Sequence, residues 1–169
     1  MALTVEDGTV VAGADSYLSL AAADTYHSSH GSPTAWASAT DPAKEAALRY
    51  ATQWVDGKFQ FLGSVADSDQ VLDWPRQNVW DDEGRSVAAD IVPQRVKDAT
   101  AEMALAHIGA ALNASLARGG AVRREQVGPV AVEYMESANP ETDFPYVRRL
   151  LAPLLNNFGG RNVTITRVA

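Results

Sequence analysis

Apolar positions recur at helical spacing in three long stretches of the chain. The first carries Tyr17, Leu18, Ala21, Ala22 and Tyr26, with Asp15 placed to cap its start and Gly31 with Pro33 to end it. The second opens at Thr40-Asp41-Pro42, a capping residue followed by proline in the first turn, and shows a stripe of Ala47, Tyr50, Ala51, Trp54 and Val55, with Gly63 as its stop. The third starts at Pro93, keeps Val96, Ala99, Met103, Ala104, Ala106, His107, Ala110 and Ala111 in helical register, and stops at Gly119-Gly120. A shorter apolar run, Val147, Leu150, Leu151, Leu154 and Leu155, predicts a fourth helix over roughly 144–156. Pro145 suits its first turn, and Pro153 should kink or shorten it.

Two regions depart from this period. Residues 62–92 hold Gly63, Pro75, Gly84 and many aspartates without sustained periodicity. A loop this long inside a small domain is uncommon and is usually functional; the expectation is that it orders only on assembly. In 121–134, Val130, Val132 and Tyr134 alternate with Ala131 and Glu133 after the turn-like Val127-Gly128-Pro129, which predicts a strand pair or an extended arm. The last residues alternate again, Val163, Ile165 and Arg167 against Thr164, Thr166 and Val168, beyond the break at Gly159-Gly160. The fold class expected is therefore mainly α: a bundle of about four helices with a short β-hairpin or extended arm and an extended, β-prone C-terminal tail. The organisation expected is one domain over 1–157 and a tail over 158–169. That tail has two destinations open to it, a partner's sheet edge or the 122–134 arm of its own subunit.

Composition adds constraints. Hydrophobic residues make up 46% and charged residues 21% of the 169 residues, ordinary values for a globular domain. No run of 18 apolar residues predicts a membrane span, and no basic, apolar leader is visible at the start. There is no cysteine, so disulfides, thiolate nucleophiles and cysteine metal sites are excluded. The net charge of −7 is uneven: residues 1–90 carry 14 acids and 5 bases (−9), and residues 91–169 carry 7 acids and 9 bases (+2). An acidic surface repels nucleic-acid phosphates, because affinity for them comes largely from basic side chains.

Motifs for catalysis are not found. His27 and His30 lie three apart, but a zinc site needs three or four ligands and no third histidine is near in sequence. His107 sits on an apolar face, the usual setting of a core histidine. Asp81-Asp82-Glu83-Gly84 lacks the alternating ligands of a calcium loop and reads as a solvated turn. No nucleophile elbow, phosphate loop or dinucleotide fingerprint occurs. No catalytic residue, cofactor or metal is expected, and the chain is not expected to be an enzyme. Aromatic residues are more informative. Trp74, Arg76 and Trp80 fall inside the irregular segment, and tryptophan and arginine dominate interface energetics. They either form a subunit interface or fold back to staple the loop onto the core.

The order of motifs carries a family resemblance. It runs from Asp15-Ser16-Tyr17 through Tyr50-Ala51-Thr52-Gln53-Trp54-Val55-Asp56 and Gln70-Val71-Leu72-Asp73-Trp74-Pro75-Arg76. Gly84, Ile91-Val92-Pro93, Val96-Lys97-Asp98-Ala99, Val127-Gly128-Pro129-Val130 and Val132-Glu133-Tyr134 follow. This resembles the head-tail adaptor (connector) family of long-tailed phages and gene transfer agents, sequences also labelled DnaT-like single-stranded DNA-binding proteins. The resemblance spans nearly the whole chain, and Trp-Pro-Arg followed by Ile-x-Pro is its most specific part. It implies a structural virion protein made in the host cytoplasm and placed at the neck. There it would form a ring, twelve-fold in the family, beneath the portal protein. The ring would extend the channel through which double-stranded DNA passes without specific binding, and would offer a platform to a tail-side neck or terminator protein. The portal-reaching segment of the family falls here on the tail, with Phe158, Arg161, Val163, Ile165 and Arg167; no membrane contact is implied. The competing expectation, single-stranded DNA binding, needs a basic groove with stacking aromatics, whereas Trp54, Trp74 and Trp80 lie in the acidic half.

Overall fold

In a computed structural model of the chain, residues 2–110 and 144–156 are described with their side chains, and 124–127 and 130–133 as backbone strands. The elements are α1 (Leu20–Ser29), α2 (Thr34–Ser38), α3 (Asp41–Lys58), β1 (Ser64–Val65), β2 (Arg76–Gln77), α4 (Gln94–Gly109), β3 (Arg124–Val127), β4 (Val130–Glu133) and α5 (Pro145–Leu151). A single 3-10 turn, Ala152–Leu154, follows α5. The fold is mainly helical, as the periodicity predicts. Its centre is the contact of α3 with α4, and α1, α2 and α5 add to α4 around it. The buried faces there are rich in small residues, Ala47 and Ala51 on one helix and Ala99, Ala101 and Ala104 on the other. Small side chains let helices pack closely. Leu48, Val55, Val96 and Met103 fill the rest of that core.

Several helix boundaries differ from the sequence pattern. Helix α1 starts at Leu20, and Ser19 caps it, accepting from the Ala22 N–H at 3.2 Å. Asp15 instead accepts from the Thr4 N–H and pairs with Arg49 at 2.6 Å, tying the N-terminal segment to α3. Tyr17 and Leu18 are core residues that precede the helix, and α1 buries Ala23 and His27 rather than Ala21 and Ala22. Helix α3 ends at Lys58, not at Gly63, and Leu48 and Thr52 face inward while Tyr50 is exposed. Pro153 shortens the last helix as expected, converting it to the 3-10 turn. The hairpin is also as expected: β3 and β4 pair antiparallel, with Val127 opposite Val130.

The segment 62–92 departs most from expectation. It is ordered within the subunit rather than awaiting a partner. Strands β1 and β2 pair antiparallel, Ser64 opposite Gln77 and Val65 opposite Arg76. Leu72, Trp74 and Val79 enter the core. Gly63 is required at the base: it adopts φ +71°, and a Cβ there would collide with the Gln77 carbonyl and with Val79. Gly8, at φ +113°, lies equally close to the Asp90 carbonyl, so the N-terminal turn closes over the far end of the same segment. The Glu6 side chain holds that turn by accepting from the N–H groups of Gly8, Val10 and Val11.

Candidate functional site

The conspicuous part of the loop is built inward. Trp74 has no exposed surface, and its ring meets Phe61 edge-on, centroids 5.5 Å apart. Its backbone N–H donates to the Tyr17 hydroxyl at 3.1 Å. That hydroxyl donates in turn to the Asp56 carboxylate, whose oxygens lie at 2.7 and 2.9 Å, and the Asp73 N–H reaches the same carboxylate at 3.2 Å. One side chain of α3 thus fixes both the N-terminal segment and the loop. Burial pushes the Asp56 carboxyl up to about 7, against the hydrogen bonds from Tyr17 and Asp73 that favour its charged form. Burial and the neighbouring Asp56 raise Tyr17 as well, so it stays a donor.

Arg76 is likewise an internal staple. Its guanidinium donates to the carbonyls of Leu62 (2.8 Å), Asp73 (3.1 Å) and Gly63 (3.1 Å), closing the base of the loop. A subunit-interface role for Trp74 is therefore corrected: a side chain with no exposed surface cannot touch a second copy. Arg76 spends its donors within its own subunit. Trp80 is different. It is 58% exposed, paired across an isolated bridge to Ser86, and stands above the buried Val79. The turn after it is rigid: the Asp81 carboxylate accepts from the N–H groups of Glu83 and Arg85 and pairs with the Arg85 side chain at 2.8 Å. These bonds hold Asp81 below the usual carboxylate range. The turn is a solvated one, as its sequence suggests. Val71, also in this segment, is 65% exposed.

A cleft that sequence reasoning missed lies between the end of α3 and α5. It encloses about 270 Å³ and is lined by Trp54, Lys58, Phe59, Phe144, Arg148 and Leu155. The Trp54 ring meets Phe59 and Phe144 edge-on, with centroids 5.7 and 5.4 Å apart. Backbone bonds from Leu62 N–H to the Leu154 carbonyl and from Asn156 N–H to the Gln60 carbonyl, both 2.9 Å, fix its far wall. Its two walls are separated by more than eighty positions in the chain; Trp54 and Leu155 lie on two different stripes visible in the sequence, and no local signal joins them.

The remaining candidates fall elsewhere. His27 is buried against Trp36, centroids 4.3 Å apart, while His30 stacks on Tyr26 at 4.1 Å. His107 stacks on Tyr50 at 4.5 Å, at the edge of the core rather than in it. Among the described residues no group of three or more histidines and acids is placed to hold a metal, and no helix is long and apolar enough to cross a membrane. Phe158, Arg161, Val163, Ile165 and Arg167, the expected portal contacts, lie outside the described residues.

These features define a small, mainly helical protein with a stapled loop and an aromatic, cation-rimmed cleft. A family model matches residues 1–168, and the chain belongs to the family described as "Putative DnaT-like ssDNA binding protein". Comparison with curated proteins and with solved structures finds no match.

Proposed function

We propose that the chain is a structural, non-catalytic subunit that acts by docking: a head-to-tail adaptor that assembles as a ring beneath a phage portal and receives a tail-side neck protein. One observation supports this above the others. Segment 62–92 is anchored through Trp74, Arg76 and the Asp56 network, and on that rigid base it holds Trp80 and Val71 out to solvent. Large apolar side chains presented on a rigid scaffold are a pattern of interaction surfaces. The acidic bias of residues 1–90 suits a channel that DNA traverses without sticking. On this reading the tail, from Phe158 through Arg167, carries the portal contact, and the protein resides in the virion neck. The test is electron microscopy of the chain mixed with its portal. An added ring is expected, and a portal left bare would reject the adaptor role.

A second reading is single-stranded DNA binding. The family description favours it over the first, and the cleft supplies the aromatic faces and cations, Lys58 and Arg148, that such binding uses. Fluorescence anisotropy with a labelled oligonucleotide decides this. Submicromolar affinity with a steep salt slope would establish the second reading; weak binding at physiological salt is expected on the first.

A further inference from the structure

We propose that the cleft between α3 and α5 is the socket for the Trp80 turn of a second copy of this chain. The inference rests on the adaptor reading and deepens it by naming the surfaces that join neighbouring subunits.

Trp80 is the most exposed tryptophan among the described residues, and its turn is already fixed by the Asp81 bonds and by the Trp80–Ser86 bridge. Little conformational freedom is then lost on docking. The cleft, at about 270 Å³, accommodates a large aromatic side chain, and Trp54, Phe59 and Phe144 already pack edge-to-face around it, the arrangement aromatic rings prefer. The charges match. Asp82 follows Trp80 on the exposed turn, where Glu83 is paired with Arg85 at 3.1 Å, and Arg148, beside Lys58, lines the cleft. Such complementarity selects partner and register. Knob and socket use different residues, so a copy that donates its Trp80 still offers its cleft. That is the property of a head-to-tail contact, which closes into a ring where the rotation permits.

The chain has no cysteine, so introduced thiols are unique. Ser86→Cys and Asn156→Cys variants of the full chain, at uncharged positions beside Trp80 and on the cleft wall, are prepared separately, mixed, and treated with a short bismaleimide. The expected result is a covalent product joining the two variants, lost when Trp80→Ala is added to the first. Unlabelled wild-type chain should suppress the product by competition, and the product should recover when Asp82→Lys competitor replaces wild-type competitor. Absence of the mixed product in concentrated protein would overturn the proposal. So would its suppression by a single-stranded oligonucleotide that quenches Trp54 fluorescence, an outcome that assigns the cleft to nucleic acid. The adaptor reading fails separately. With both cysteines placed in one chain, cross-linked species that stop at two copies keep this contact but reject the ring, and rings without the cross-link keep the adaptor but reject this contact.

Discussion

Trp74 and Trp80 lie six positions apart in one loop and have opposite fates. Trp74, inside the most recognisable motif of the chain, has no exposed surface and holds the loop to Tyr17 and Phe61. Trp80, in an unremarkable acidic stretch, is 58% exposed. The contrast shows that a distinctive motif in an irregular segment can mark what makes the segment regular, while the surface available for docking lies beside it. An ordered loop without helices needs its own hydrogen-bond partners and anchors. Here those are the Arg76 guanidinium, the Gln70 side chain, which donates to the carbonyls of Leu72 and Pro75, and the Asp56 carboxylate.

The largest expected effect falls on the buried member of the pair. Trp74→Ala should cost about 3–5 kcal/mol of stability, as truncation of a buried large aromatic does, and should loosen the whole of 62–92. Chemical denaturation with hydrogen exchange across the loop checks this. A loss near zero would mean that Trp74 is not the anchor, and the contrast with Trp80 would collapse. Tyr17→Phe comes next. It keeps the ring but leaves the Asp56 carboxylate and the Trp74 N–H without their shared partner, a cost of about 1–3 kcal/mol. Unfolding in urea measures it.

How much of this was legible in the sequence follows from the same physics. The long helices were, because Ala47, Ala51 and Val55 or Val96, Ala99 and Met103 repeat with the helical period and bury one face; the five-residue α2 is too short to show a period, and α4 ends at Gly109 before the Ala110 and Ala111 that the pattern included. The pairing of β3 with β4 was, because alternation and turn-forming residues coincide in the sequence there. The start of α1 was not: Asp15 and Ser19 are both competent caps, and only the position of Arg49, a tertiary fact, draws Asp15 away. The order of 62–92 was not, because its anchors, Asp56 and Tyr17, lie on other elements at long sequence separation. The cleft was not, since Phe144 and Arg148 meet Trp54 and Lys58 only after α5 docks.

The pH dependence sharpens the account of the buried end. The Asp56 carboxyl is raised to about 7 by burial, so the folded chain holds this proton more tightly than the unfolded chain. Its contribution to stability is complete below the unfolded carboxylate range, near pH 3.9, and is lost as pH rises through about 7. Asp73 is also raised by burial and acts in the same direction, whereas Asp24, lowered by Lys44 and Trp36 despite partial burial, acts in the opposite one. The clean quantity is therefore a difference. The stability of Asp56→Asn minus that of wild type should rise between pH 4 and pH 7 and flatten above, as measured by denaturant midpoints. A difference flat with pH would place the carboxylate in contact with water and weaken the case for a dry loop anchor.

The smallest effect on stability is expected at the exposed member, and it separates the two tryptophans most directly. Trp80→Ala removes a ring that is more than half in water, so little buried area is lost, and surface substitutions away from special features stay within about 0.5 kcal/mol. Val79 beneath it remains buried, and the turn keeps the Asp81 bonds to Glu83 and Arg85. The thermal midpoint should thus barely move, while self-association, followed by sedimentation velocity of concentrated protein, should disappear. The paired change at the socket, Arg148→Glu, should act alike, since Arg148 is an exposed residue of α5 whose charge faces the cleft rather than the core. If Trp80→Ala instead lowered the midpoint as Trp74→Ala does and left association intact, both tryptophans would belong to one internal cluster, and the division of the loop into anchor and docking surface would be wrong.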